Sequence, residues 1–318
     1  MKKALAIDIG GTKIYNTIVD ENGQILSEVE KNSTPKTLDE IKSLLKNIIS
    51  RYEESVDVVA IATAGAVNKE NTSVIGSTGN IAEGYSNLDF QALSNKKVFV
   101  ENDANSAAWA EHVIGASKGE SDSVLLTLGT GVGGGIIVNN RLLKGKNGAA
   151  GEMHFKMSME RQRRCTCDAY DCFEAYASGT GLAITAREKT RLPNVTTYDV
   201  IEELHAVLKL TEPYKEQKTV TERLQMAIED CYVDAFLEWQ ECIIDGCVGL
   251  ANIFDPCVIV LSGSMAEFVD IEYVEMQVNN DIVTTPTKIR LASAGNYSGM
   301  IGVALLAMGV GLNQEVNC

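Results

Sequence analysis

Five of the seven residues from Gly129 to Gly135 are glycine (Gly129-Thr130-Gly131-Val132-Gly133-Gly134-Gly135), and this run constrains the fold more than any other segment of the chain. A glycine inside a strand or helix costs about 0.5–1 kcal/mol relative to alanine. A tight turn needs only one or two of them. The surplus fits a backbone that must come close to a ligand. Strand-like runs flank the segment, Ser123–Leu128 before it and Ile136–Asn139 after it. It lacks the Lys-Ser/Thr ending of a P-loop, and it does not open a helix after the first strand as a dinucleotide fingerprint would.

A second glycine turn stands near the start of the chain, Asp8-Ile9-Gly10-Gly11-Thr12-Lys13. Gly10 and Gly11 let backbone N–H groups point at an anion, Thr12 adds a hydroxyl and Lys13 a charge. Asp8 could hold a magnesium ion through water. Alone, the turn reads equally as a hairpin with a solvated lysine. Two phosphate-type turns, one per half, point to two lobes clasping one nucleotide.

Around these turns the pattern is α/β. Ala4–Ile9, Lys13–Val19 and Gln24–Val29 read as a strand meander, Val58–Ile61, Val98–Val100 and Val258–Leu261 as buried strands. Leu38–Tyr52 carries Leu38, Ile41, Leu44, Leu45 and Ile48 at helical spacing. Tyr198 to about Asn252, with a polar break near Pro213, and Ile301–Met308 are expected to be helical. The 318 residues suggest about two domains. With 45% hydrophobic and 22% charged residues the chain has globular composition. There are 28 Lys+Arg against 43 Asp+Glu, a formal net charge of −15, which disfavours nucleic acid and anionic membranes. Apolar runs are too short to span a bilayer, and a cytoplasmic protein is expected. Of eight cysteines, Cys165, Cys167 and Cys172 are clustered, and in a reducing compartment they are expected to be thiols or metal ligands.

Taken together and in order, these segments resemble the ROK family of sugar kinases and repressors, within the actin-like/hexokinase ATPase superfamily. Asp8–Lys13 is similar to its first phosphate motif, Glu101-Asn102-Asp103-Ala104-Asn105 to its sugar and catalytic motif, and Gly129–Gly135 to its second phosphate motif. Gly151-Glu152-Met153-His154 resembles the Glu-x-Gly-His element, and Cys165-Thr166-Cys167-x4-Cys172 with Phe173-Glu174 resembles the zinc loop and the glutamate after it. Ser262-Gly263-Ser264 is similar to the adenosine-side turn.

The resemblance implies a two-lobed, ribonuclease H-like fold with nucleotide and sugar in the interlobe cleft. Residues 1–101 with about 305–318 would form the small lobe and 102–304 the large one. It implies transfer of phosphate from ATP to the 6-hydroxyl of a hexose or N-acylhexosamine. Asp103 would take the hydroxyl proton; Asn80, Asn102, Glu152, His154 and Glu174 would bind the sugar. Asp8, Gly10, Gly11, Thr12, Lys13, Gly129, Thr130, Gly131 and Gly263 would bind ATP and its Mg²⁺, and Cys165, Cys167, Cys172 and His154 a structural Zn²⁺. A homodimer is common in the family. The first phosphate motif begins at Asp8, so a kinase without the repressors' helix-turn-helix is expected. The loop from Ser77-Thr78-Gly79-Asn80-Ile81 through Ser86–Asp89 is somewhat similar to that of animal N-acetylmannosamine kinases, which leans the expectation to that sugar, with glucose the alternative. A non-catalytic sugar sensor is the competing class.

The sequence departs from the family at Ser262, where another glycine is usual, and at two places around the zinc loop. Asp168 and Asp171 stand where glycines are usual, and aspartate is one of the few residues that tolerates left-handed backbone. His154 comes two residues after Glu152 instead of three, with Phe155 at the family's histidine position. Either the loop shifts and His154 still binds metal, or that ligand is lost. Arg141 to Arg164 carries a local charge of +5.

Overall fold

The computed structural model describes residues 1–312 apart from 77–80, 161 and 228. In chain order the elements are β1 (Lys3–Ile9), β2 (Lys13–Asp20), β3 (Glu30–Ser33), α1 (Leu38–Tyr52), β4 (Val58–Thr63), β5 (Val98–Asn102), α2 (Asp103–Val113), β6 (Ser123–Leu128), β7 (Val132–Val138) and β8 (Arg141–Leu142). They continue as α3 (Glu174–Ala177), α4 (Gly179–Thr190), α5 (Thr197–Leu210), α6 (Val220–Leu224), α7 (Cys231–Phe254), β9 (Val258–Ser262), α8 (Ile271–Asp281), β10 (Lys288–Leu291) and α9 (Ser298–Met308). Two five-stranded sheets have the orders β3-β2-β1-β4-β5 and β10-β9-β6-β7-β8. The chain divides into two compact units. The first comprises Met1–Leu125, Gly134–Glu152 and Ala292–Cys318, the second Leu126–Gly133 and Met153–Leu291.

In the first unit β1 is antiparallel to β2 and parallel to β4, and β4 is parallel to β5. Side chains alternate across a strand, and both faces of β1 are covered. Leu5, Ile7 and Ile9 join Ile41, Leu45 and Ile48 of α1 in one core. Ala4, Ala6, Ala60 and Ala62 on the other face meet Met300, Val303 and Ala304 of α9. The C-terminal helix thus returns to the sheet that opens the chain. It packs tightly on α2, because a side chain at Gly302 would lie 1.7 Å from the Ser106 carbonyl oxygen. Helix α1 has the bounds its periodicity predicts, with Thr37 accepting from Glu40 N at its start.

Two sequence expectations are corrected here. Gln24–Val29 is not a strand; Ile25 makes only an isolated bridge to Val19 and the ladder resumes at β3. Ser27 Oγ accepts the Ile18 N–H at 3.0 Å, and Thr17 Oγ1 donates to Ser27 O at 2.9 Å, so side chains occupy groups a ladder would use. The strand after the glycine run begins at Val132, not Ile136. Gly133, Gly134 and Gly135 therefore lie within β7. A side chain at Gly135 would lie 2.6 Å from Ala108 Cβ, so this glycine admits helix α2 against the strand.

In the second unit α7 forms the buried spine, with Val233, Phe236, Trp239, Ile243, Cys247 and Leu250 inside. Trp239 Nε1 donates to the carbonyls of Ala177 and Ser178 at 2.9 and 3.1 Å, tying down the α3–α4 junction. Phe173 sits over Gly246, where an added side chain would lie 2.3 Å from the ring. These two contacts place Glu174, the first residue of α3. Among the described residues no helix is long and apolar enough to cross a membrane.

Candidate functional site

In the first unit, Gly10–Lys13 is a tight connection between β1 and β2, closed by Gly10 N donating to Lys13 O at 3.0 Å. Thr34 braces it from outside, donating Oγ1 to Gly10 O at 2.6 Å and N to Thr12 O at 3.0 Å. Thr12 and Lys13 are exposed. Asp8 lies on β1 just before the turn. Burial, with the Asp103 charge adding, pushes its carboxyl up to about 7.

Asp103 is the first residue of α2. Asn102 is the cap, its side chain accepting from Asn105 N at 3.0 Å, so Asp103 is not needed to start the helix. Its Oδ1 accepts the Ala104 N–H at 2.8 Å. The side chain is open to water yet hemmed in by protein. Loss of hydration raises its carboxyl above the ordinary range; the Ala104 N–H opposes this and the Glu152 charge adds to it. The first turn of α9 lies beside both acids. A side chain built at Gly299 would stand 3.9 Å from Asp8 Oδ2 and 3.8 Å from Asp103 O. Asp8, Asp103 and Glu152 are thus a cluster of interacting carboxylates in one unit. Asn80 lies outside the described residues.

In the second unit the glycine turn is closed by Gly129 N donating to Gly131 O at 3.0 Å. The start of α4 abuts it: Gly179 N donates to Gly129 O at 2.8 Å and Thr180 Oγ1 to Thr130 O at 2.7 Å. Space beside Gly129 is open, whereas a side chain at Gly131 would strike Glu174 Oε2 at 2.5 Å. Gly263 has φ of +89°, and any side chain there would lie 2.3 Å from Leu128 O, so only glycine lets this turn close on the end of β6. Glu174 Oε2 accepts the Val132 N–H at 3.1 Å, while Oε1 accepts from Thr166 Oγ1 at 2.5 Å and from the Cys165 thiol at 3.5 Å. It therefore joins the glycine turn to the cysteine loop.

The shifted histidine reaches the cysteines. Ligand atoms of His154, Cys165, Cys167 and Cys172 all lie within 4.8 Å of one another. Cys165 Sγ is 3.6 Å from His154 Nδ1 and Cys167 Sγ is 3.5 Å from Cys172 Sγ. Tetrahedral zinc with sulfur ligands at about 2.3 Å has ligand–ligand edges of about 3.8 Å, which this donor set can meet. Phe155, next along, stacks on Phe173 at 4.9 Å. Asp168 and Asp171 have φ of 65° and 57°, the left-handed backbone their glycine-like positions require. Asp171 does what glycine could not. Buried, it accepts from Gln162 N, from Arg163 N at 2.8 Å and from Tyr176 Oη at 2.8 Å. Part of the basic stretch is consumed internally, with Lys144 paired to Glu101, Arg163 to Glu188 and Arg164 to Asp168.

A family profile described as the ROK family matches residues 4–310. The chain belongs to the ROK family. A glucokinase of Streptomyces coelicolor is 32% identical over 325 aligned positions, covering 96% of this chain and 98% of the relative. An N-acetylmannosamine kinase of Escherichia coli O6:H1 is 32% identical over 254, covering 78% and 84%. A crystal structure of a ROK family glucokinase from Streptomyces griseus with glucose and AMPPNP superimposes with a TM-score of 0.72 at 30% identity, over 96% of this chain and 99% of that one. The α/β architecture with two mixed sheets is the fold of these ROK kinases.

Thr34 and Gly299 had no sequence signal, and only the folded chain brings them to the turn and the carboxylates. Glu101 lies within the motif Glu101–Asn105, which gave it no role of its own. Asp171 had a signal, its glycine-like position, which foretold the backbone but not the hydrogen bonds.

Proposed function

We propose that this ROK chain is an ATP-dependent sugar kinase that phosphorylates the 6-hydroxyl of a hexose or an N-acylated hexosamine. The observation that carries the reading is Asp103. It stands at the start of α2, is not used as the helix cap, and is held among interacting carboxylates. A new bond forms between the sugar O6 and the γ-phosphorus as the bond from that phosphorus to the β–γ bridging oxygen breaks, and ADP leaves. Asp103 orients the hydroxyl and accepts its proton. The demand on the base is modest, because phosphoryl transfer is mostly positioning and charge stabilisation. The N–H groups of Gly11, Thr12, Thr130 and Gly131 would hold phosphate oxygens, those of Gly10 and Gly129 being used to close the two turns, and Gly263 would shape the adenosine side. Asn102, Glu152, Glu174 and the undescribed Asn80 would hydrogen-bond sugar hydroxyls.

Mg²⁺ arriving with ATP would neutralise phosphate charge, held through water by Asp8, whose partly buried carboxyl is costly to ionise without a cation nearby. Zn²⁺ would be held by Cys165, Cys167, Cys172 and His154 and would fix the loop that ends in Glu174. Metal analysis of the purified chain is expected to find close to one zinc per chain; a value near zero removes this assignment.

The relatives divide between glucose and N-acetylmannosamine, and the glucokinase aligns over more of this chain. That supports glucose as the second substrate reading. An ADP-release screen over glucose, mannose, fructose, allose, N-acetylglucosamine and N-acetylmannosamine decides between them. Turnover on at least one is expected. No turnover on any, with Asp103→Asn indistinguishable from wild type, would turn the reading toward a non-catalytic sugar sensor.

A further inference from the structure

Behind the carboxylates that face substrate in this reading lies another, Glu101, whose surroundings the reaction alone does not explain. Glu101 is next to last in β5 and only 1% exposed. Both of its oxygens are used. Oε1 accepts the N–H of Asn102 at 2.9 Å and Asn105 Nδ2 at 3.2 Å. Oε2 accepts Asn71 Nδ2 at 2.7 Å and pairs with Lys144 Nζ at 2.5 Å. The partners come from three segments of the first unit: the β4–β5 connection, the β5–α2 junction, and the loop from β8 to Glu152.

Each segment is held tightly near this point. Asn71 takes the left-handed φ of 60°, donates Nδ2 to Val100 O at 2.7 Å, and receives the Val100 N–H on its own carbonyl at 2.9 Å. Asn102 donates Nδ2 to Gly65 O at 3.1 Å while its Oδ1 caps α2. Gly148, with φ of +96°, presses the Lys144 loop onto Val67–Lys69, since an added side chain would lie 2.1 Å from Val67 O. The loop is thus fixed at Gly148 by close packing and at Lys144 by charge, and Glu152 follows a few residues on.

A buried ion pair is a poor way to gain stability, because its desolvation offsets its attraction, and apolar replacements are often neutral or stabilising. What this pair does supply is geometry. It grips the N–H of the residue before Asp103 with one oxygen and the loop of Glu152 with the other. We propose that Glu101 and Lys144 are positioning residues that set Asp103 and Glu152 in register for phosphoryl transfer. The inference rests on the sugar-kinase reading for the reaction it serves.

Kinetics, thermal unfolding and amide hydrogen exchange on the full chain test it. Lys144→Met lowers kcat about 100-fold with KM for ATP nearly unchanged, the size expected when reacting groups shift by about 1 Å. Lys144→Arg, which keeps the charge, recovers most of that loss. Lys144→Met strands a buried carboxylate and can unfold the chain, so the decisive variant is Glu101→Gln with Lys144→Met. With neither charge present, thermal stability returns toward wild type while kcat stays low. Exchange then rises together in 101–105 and 145–152 and stays slow in Lys3–Ile9. The clamp is overturned if the folded double variant turns over within about threefold of wild type, or if exchange fails to rise in both segments. A wild-type chain that phosphorylates no sugar overturns the kinase reading instead, and the exchange pattern alone then decides the clamp.

Discussion

Asp103→Asn is expected to lower kcat by about 10³-fold, the scale of a lost general base that also orients the nucleophile. The asparagine keeps the shape of the side chain and can still accept the Ala104 N–H, so the helix start is preserved. The variant also loses a negative charge beside Asp8 and Glu152. Since the Asp103 charge helps raise the Asp8 carboxyl, the variant should be no less stable than wild type at neutral pH. Sugar and ATP affinities are expected to stay within a few-fold, because the loss falls on a transition-state contact. The pH dependence carries a sign. Asp103 works as a base only when ionised, and its carboxyl lies above the ordinary value of 3.8 because of lost hydration and the Glu152 charge. The acid limb of kcat/KM should therefore fall at higher pH than an ordinary aspartate would give, and Glu152→Gln should move that limb down. Full activity in Asp103→Asn would remove the base from the mechanism.

Much of this site is local in the sequence. The turns at Gly10–Thr12 and Gly129–Gly131 fall where paired glycines interrupt strand-like runs, since glycine accepts the backbone conformations a tight turn needs. Leu38–Tyr52 is a helix with the bounds its apolar period predicts. Asp168 and Asp171 hold left-handed backbone, as residues in glycine-like positions must. Where sequence reading failed, a single side chain or a packing partner had overruled the pattern. Ser27 takes a strand's hydrogen bond with its hydroxyl, so the segment Gln24–Val29, expected as a strand, forms no ladder. Gly135 belongs to a strand because Ala108 of a distant helix needs the space. Glu101 and Lys144 are 43 residues apart, and no periodicity links them. The shift of His154 is a case in between. Spacing leaves its fate open, and the folded loop brings its ring to the cysteines while Phe155 stacks on Phe173.

Asp8→Asn is expected to make the magnesium-free protein more stable, and increasingly so as pH rises. The Asp8 carboxyl has a folded value of about 7 against 3.8 ordinarily, through burial first and the Asp103 charge second. Between those two values the folded chain holds a proton that the unfolded chain has released, so stability falls as pH rises through this window. Below 3.8 both states are protonated and Asp8 contributes no difference; above about 7 the whole penalty of ionising this partly buried carboxyl is present. A shift of this size sets an upper bound on the order of 4 kcal/mol, lowered by the water that reaches the side chain, and asparagine carries none of it. Melting temperatures of variant and wild type without added magnesium should nearly coincide at pH 4 and separate by several degrees by pH 8, the variant higher. A constant difference across that range would rule out Asp8 ionisation as its cause. Turnover should move the opposite way, since the acid that destabilises the empty protein is the one assigned to the phosphate-bound cation. Strain of this kind persists where function requires it, so a gain in stability with a loss of activity would mark Asp8 as a site residue, whereas a loss of both would mark it as part of the core.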